Sequence, residues 1–283
     1  MSSLQAPGTT EHMSLASGQR DIFGVDFSGA KSACYKIWIS HAKVSGNRLG
    51  IVECYPLSEI SSAELGREHC LRFLLGLICS SKSSIFGMDF PFGIPLPLMQ
   101  GLGWNEFVRH FPELYTSEDE FRDRNRGLSG NVELKRATYK EVKAPFCVYN
   151  LRLYRQTYFG IRDIIRPLVI SDAASILPMQ SLRADVPWVM EICPASALKK
   201  EGLYIPYKGK GTKEKVSREH ILEHLERKAL DLPEDIRDKA LQNADGDALD
   251  SIIAAYSVFC VLHTLVPKNA ICEPYINEGF TFM

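Results

Sequence analysis

The sequence predicts an α/β fold on a mixed sheet, and three observations lead to it. Three short segments rich in β-branched and aromatic residues follow one another between residues 21 and 55. A helix-periodic segment then leads into a fourth apolar strand, and a fifth returns after a long interruption.

Residues 1–20 (MSSLQAPGTTEHMSLASGQR) are polar and turn-rich and read as a disordered tail. DIFGVDFS (21–28), CYKIWIS (34–40) and NRLGIVECY (47–55) are strand candidates separated by the turn-like GAKS and VSGN, the pattern of an antiparallel meander. SAELGREHCLRFLLGLIC (62–79) has apolar residues at helical spacing, with Ser62 as its N-cap. SSIFGMDF (83–90) is the fourth strand and runs into the Pro- and Gly-rich PFGIPLPLMQG. Residues 96–184 then interrupt the alternation with mostly helical material, including TSEDEFRDRNRG (116–127) and the helix candidate LRLYRQTYFGIRDIIRPL (151–168). VPWVMEIC (186–193) is the fifth strand. The Lys-rich loop PYKGKGTKEK (206–215), the helix VSREHILEHLERKAL (216–230) and a final apolar helix complete the chain. Residues 21–283 thus read as one domain with an insertion at about 96–184, and no internal repeat is visible.

Composition narrows the function classes. The 283 residues are 45% apolar and 24% charged, enough to bury a substantial core. A net charge of −1 means that any contact with nucleic acid must come from local basic patches. Eight scattered cysteines form no CxxC pair, which argues against structural zinc, and no signal peptide precedes the first strand. The cysteines therefore read as reduced core thiols of a cytoplasmic protein. Residues 249–266 approach the length of a membrane span, but Ser251, Tyr256, Ser257, His263 and Thr264 dilute them, and a buried core helix is the better reading.

Acids mark the ends of the core elements. Asp26 sits in the first strand (GVDFSG), Asp89 at the end of the fourth (GMDFPFG) and Glu191 near the end of the fifth (VMEICP). The final helix opens NADGDALDS, placing Asp247 and Asp250 one turn apart on one face, with Asp245 available as the N-cap. An acid on an apolar strand is costly to bury unless paired, protonated or bound to a cation. Acids that converge raise each other's pKa values, and Mg²⁺ or Mn²⁺, which prefer carboxylate and water oxygens, resolve the conflict. Two such ions about 3.5–4 Å apart suit phosphodiester hydrolysis. Each acid also has a plain structural reading. Asp89 can shape a turn before Pro91, Asp247 or Asp250 can answer the helix dipole, and Glu191 can pair with a base such as Arg183.

Basic residues cluster at Lys208, Lys210, Lys213, Lys215 and Arg218, at Lys135, Arg136, Lys140 and Lys143 around Tyr139, and at Arg122, Arg124 and Arg126. The first cluster is the best candidate for a nucleic-acid contact, because Gly209 and Gly211 let its backbone approach a phosphate. A solvated charged face is the ordinary alternative for each cluster.

GVDFSG, GMDFPFG, EICPAS, the YKGK loop and DALDSIIAA occur in an order that resembles a family of proteins predicted to be RNase H-like nucleases (domain of unknown function 429). GDALDSIIAA also looks like the last helix of Holliday-junction resolvases, where an acid pair three residues apart holds metal. The resemblance implies an RNase H-like five-stranded mixed sheet, three strands antiparallel and the rest parallel, flanked by helices. It implies a metal-dependent nuclease with Asp26, Asp89, Asp247 and Asp250 as ligands for Mg²⁺ or Mn²⁺. Glu191 falls in the family's own acid-x-x-Pro motif and joins the catalytic set. The resolvases carry Glu on the fourth strand, where this chain has the shorter Asp89. Two other classes remain open at this point: an actin-like ATP-dependent phosphotransferase, and a non-catalytic nucleic-acid-binding module on the same scaffold. The first is disfavoured because Ser28 stands where its phosphate loop has Gly and no second Gly-rich loop is found.

Overall fold

The computed structural model describes residues 20–60, 66–263 and 273–283. The tail expected over residues 1–20 lies outside them except for Arg20, and so does the Ser62 cap. Arg20 is buried: its guanidinium lies 4.2 Å over the Trp188 ring and donates to the Val186 and Lys82 carbonyls at 2.9 and 3.1 Å.

In chain order the elements are β1 (Asp21–Asp26), α1 (Ala33–Lys36), β2 (Trp38–Ser45), β3 (Arg48–Pro56), α2 (Arg67–Ser80) and β4 (Ser84–Met88). The insertion holds α3 (Trp104–Arg109), α4 (Phe111–Leu114), α5 (Glu118–Leu128), α6 (Ala137–Glu141) and α7 (Tyr154–Gly160). A π-helical turn at Ile161–Ile165 joins α7 to α8 (Arg166–Ile170). Then come β5 (Ser175–Leu177), β6 (Trp188–Ile192), α9 (Pro194–Lys200), α10 (Thr212–Lys228), β7 (Leu230–Asp231), α11 (Glu234–Gln242), α12 (Asp247–His263), α13 (Tyr275–Glu278) and β8 (Thr281–Phe282).

The fold is α/β with one mixed sheet in the order β5-β6-β4-β1-β2-β3-β7, and β8 also pairs with β6. β1, β2 and β3 are antiparallel neighbours, while β4 runs parallel to β1 and β6 parallel to β4. The five expected strands are contiguous as β6-β4-β1-β2-β3. The sheet is wider than five strands because β5, β7 and β8 add to it.

Three local expectations are corrected. Residues 34–36 of the expected second strand belong to a helical turn, Ala33–Lys36, closed by Ile37 N–H donating to Ala33 O at 2.7 Å, and the strand starts at Trp38. That turn places Cys34 against α2, where it is paired with Cys70 (Cα–Cα 5.5 Å), so these two are not free thiols. The loop expected over 206–215 ends at Gly211. α10 starts at Thr212 and carries Lys213 and Lys215 in its first turn.

Side-chain alternation along the strands sorts the core into two layers. Phe23, Val25, Phe86, Met88 and Val189 face the insertion helices and α2, while Ile22, Ile85, Trp188, Met190 and Ile192 face α12. Gly24 and Gly87 lie on the α12 face, where the helix backbone comes very close. A Cβ on Gly24 would sit 2.0 Å from the Ser251 carbonyl, and one on Gly87 3.0 Å from that of Ala254. No helix among the described residues is long and apolar enough to cross a membrane.

Candidate active site

The period of two that buries Gly24 and Gly87 under α12 also aims the acids. Asp26 is two residues beyond Gly24 and Asp89 two beyond Gly87, so both point to the α12 side at the carboxyl ends of neighbouring parallel strands. Asp89 N–H donates to Val25 O at 3.0 Å, which carries the β1–β4 ladder on to these residues. α12 crosses the same face with its first turn over this sheet end and delivers Asp247 and Asp250. Sheet ends at the carboxyl side of parallel strands are where α/β proteins bind ligands.

Asp26, Asp247 and Asp250 are buried and Asp89 is half-buried. Asp250 is the hub. Tyr207 O–H donates to its Oδ1 at 2.6 Å, and the Lys208 ammonium lies 2.6 Å from its Oδ2. Lys36 pairs with Asp245 and stands 3.7 Å from Asp247 Oδ2, too far for a hydrogen bond, so that buried oxygen has no hydrogen-bond partner. Among the described residues no donor bonds the Asp26 or Asp89 carboxylate, so Asp89 is not a turn-forming acceptor. Asp245 is not the cap acceptor either: Asn243 Oδ1 accepts from Ala248 N–H at 3.2 Å. Gly246, at φ +81°, leaves the space that the Tyr207 ring and the Lys208 stem occupy.

The electrostatics follow from burial. Burial first, then the Asp250 charge, raise the Asp26 carboxyl well above its ordinary range, against the pull of the Lys208 ammonium. The same causes push Asp89 up to about 8. Asp247 is raised by burial, with Lys208 and Lys36 opposing. Burial works against the Lys208 ammonium, yet Asp250 and Asp26 outweigh it and its pKa is raised. Below the ordinary Asp89 value of 3.8 both folded and unfolded chains are protonated there. Between that value and about 8 only the unfolded chain ionises, so this residue's contribution to stability falls as pH rises. Asp89→Asn should therefore stabilise the metal-free protein by on the order of 2 kcal/mol at pH 8 and by almost nothing at pH 4. Urea denaturation in chelator reads this, and equal midpoints for the two proteins at pH 8 would contradict it.

Glu191 is not part of this cluster. It pairs in register with Met88, so it faces the insertion, opposite to Asp89. Its Oε2 accepts from Phe92 N–H and Arg136 Nη1, both at 2.8 Å, and its Oε1 from Thr281 Oγ1 at 2.6 Å and from Arg136 Nη2. With both oxygens occupied, the expectation of a catalytic Glu191 gives way to a buried clasp between β6, the insertion and β8. Its partner is Arg136, not Arg183, which pairs with Asp172.

The basic clusters are also redistributed. Arg218 is buried and donates to the Leu241, Tyr207 and Gly209 carbonyls, so it fixes the loop and offers nothing to a phosphate. Lys208 belongs to the acid cluster, which leaves Lys210, Lys213 and Lys215 exposed. Arg136 and Tyr139 are buried together, 4.2 Å from guanidinium to ring, and Arg122 is tied to Asp119 and Asp123.

The donor set is all hard oxygen, which fits Mg²⁺ or Mn²⁺ and not zinc. Asp247 Oδ2, which has no hydrogen-bond partner, and the mutually repelling carboxyls are features that a bound cation would relieve. Among the described residues, however, no three acidic, histidine or cysteine side chains converge closely enough to cage an ion. Tyr207 and Lys208 hold both oxygens of Asp250, and the ammonium stands there as counter-ion. Sequence reasoning missed Tyr207 and Lys36. Tyr207 had one signal, its place beside Lys208 in the YKGK loop, whereas nothing near Lys36 pointed to residues 245–247. In comparisons with protein-family models, with curated proteins and with solved structures, no match was found.

Proposed function

We propose that the chain is a divalent-metal-dependent nuclease on an RNase H-like domain, hydrolysing phosphodiesters of DNA or RNA. One observation carries the reading: Asp26, Asp89, Asp247 and Asp250 come from β1, β4 and α12 to one sheet end, with the Lys208 ammonium against Asp250. Burying Asp26 and Asp89 with no hydrogen-bond donor on their carboxylates among the described residues costs stability, and a hydrolytic metal site gives that cost a purpose. The three-antiparallel-then-parallel arrangement of β3-β2-β1-β4-β6 supports the same scaffold.

Asp26 and Asp250 are the central ligands in this reading, with Asp89 and Asp247 on either side. Two bound Mg²⁺ or Mn²⁺ ions would supply an activated water and charge neutralisation at the leaving oxygen. The protein's own part is to hold the acids on rigid elements and to keep Lys208 on a glycine-flanked loop where it can face a phosphate instead of Asp250. Lys210, Lys213 and Lys215 extend that positive edge along the backbone path. The test is a panel of labelled single-stranded, duplex, hybrid and branched substrates with Mg²⁺ or Mn²⁺. Cleavage that EDTA stops is expected. Intact substrates throughout the panel would overturn the proposal.

A further inference from the structure

A half-open cleft of about 580 Å³ begins at Asp89 and Asp250 and runs away from the acids between the insertion and the loop after α9. That volume lies within the roughly 300–1,000 Å³ of small-molecule sites. Its lining is mainly apolar and aromatic, with Phe146 on one wall and Tyr204 and Tyr207 on the other. Pro91, Pro145, Pro194 and Pro206 also line it, and their fixed φ angles make the walls stiff before anything binds. Two cations stand on it: Arg152, 5.0 Å from the Phe146 ring, and Lys208. Tyr204 is 52% exposed, and Lys199 lies 4.6 Å from its ring centroid. An exposed ring at the mouth of an aromatic cleft is a platform on which a flat group can stack.

An occupant must be flat and apolar, must carry negative charge near Arg152 and Lys208, and must lie next to the acids. We infer that this cleft takes an unpaired nucleobase of the strand whose phosphodiester faces Asp89 and Asp250, stacked on Tyr204 and Phe146. A base inside a duplex cannot reach it, so the substrates are single strands, ends or branch points, or sites where a base is turned out of the stack. The inference deepens the nuclease reading and rests on it for the identity of the strand.

The experiment measures binding in EDTA by fluorescence anisotropy, so that hydrolysis plays no part. The probes are a labelled single-stranded octathymidylate and an abasic deoxyribose-phosphate chain of the same length. Octathymidylate is expected to bind about tenfold more tightly, as one stacked base allows. Tyr204→Ala and Phe146→Ala should each remove most of that preference, and Tyr204→Phe should keep it. Equal binding of the two probes by the native protein, or by neither, would overturn the inference, as would a preference untouched by both alanine variants. The two readings fail separately. Base-dependent binding without cleavage in Mn²⁺ would sink the nuclease and keep the cleft, and cleavage with equal probe binding would do the reverse.

Discussion

Asp26→Asn should lower the cleavage rate by about 10³-fold or more, because metal-assisted charge stabilisation contributes several kcal/mol and each factor of ten is 1.36 kcal/mol. The same substitution should leave the fold intact and make it more stable at neutral pH. Asp26 is buried among Asp250, Asp89 and Asp247 with no hydrogen-bond donor of its own among the described residues, and an amide removes the charge that burial opposes. Activity and stability therefore move in opposite directions. An active site built at the expense of folding behaves in this way, and a merely structural aspartate does not. Single-turnover cleavage and urea midpoints on the same preparations decide it. Loss of activity together with loss of stability would place Asp26 in the scaffold.

Arg136→Met should cost about 3–5 kcal/mol, since removing one partner of a buried pair strands the other charge. Arg136 and Glu191 are both essentially inaccessible, and Arg136 Nη1 also donates to Glu278 O at 2.8 Å. Glu278 in turn accepts from Leu96 N–H at 2.7 Å and from Ala137 N–H at 2.6 Å, so the insertion, α13 and β6 meet at one point. A second change, Glu191→Met, should recover much of the loss, because a packed apolar pair is often as stable as a buried ion pair. Chemical denaturation of the two single variants and the double variant gives the coupling. A well-folded Glu191→Met protein without cleavage would restore the catalytic role that the sequence suggested.

The four aspartates of the candidate site stood out in the sequence for two reasons: Asp26 and Asp89 are acids on apolar strands, and Asp247 and Asp250 are one more acid than a helix start needs, one turn apart on one face. The role of Glu191 did not, since it too is an acid on an apolar strand and only the register differs. Pairing with Met88 turns it to the far side of the sheet, and its partner lies 55 positions away on the insertion. Tertiary pairing also decided Lys208. Its sequence neighbours Lys210 and Lys213 suggested a phosphate surface, and the loop's docking on α12 put it against Asp250. The strands β5, β7 and β8 are two or three residues long, too short to show a period of two. The helical turn at Ala33–Lys36 escaped because β-branched and aromatic residues follow it directly.

The glycines beneath α12 set how closely the two halves of the site approach each other. Gly24 and Gly87 bring the helix backbone onto the strands with no side chain between them. A tilt of the helix toward the sheet would meet strand backbone, so the backbone positions of Asp247 and Asp250 are set against those of Asp26 and Asp89 by direct contact. Across the site from that contact, residues 206–211 are held by side chains instead. Tyr207 is buried there, Gly209 has φ +143°, and Arg218 donates to the Tyr207 and Gly209 carbonyls at 2.6 and 3.1 Å. Two of the acids are thus gauged by backbone against backbone, and the lysine that faces them by a guanidinium clasp behind its loop.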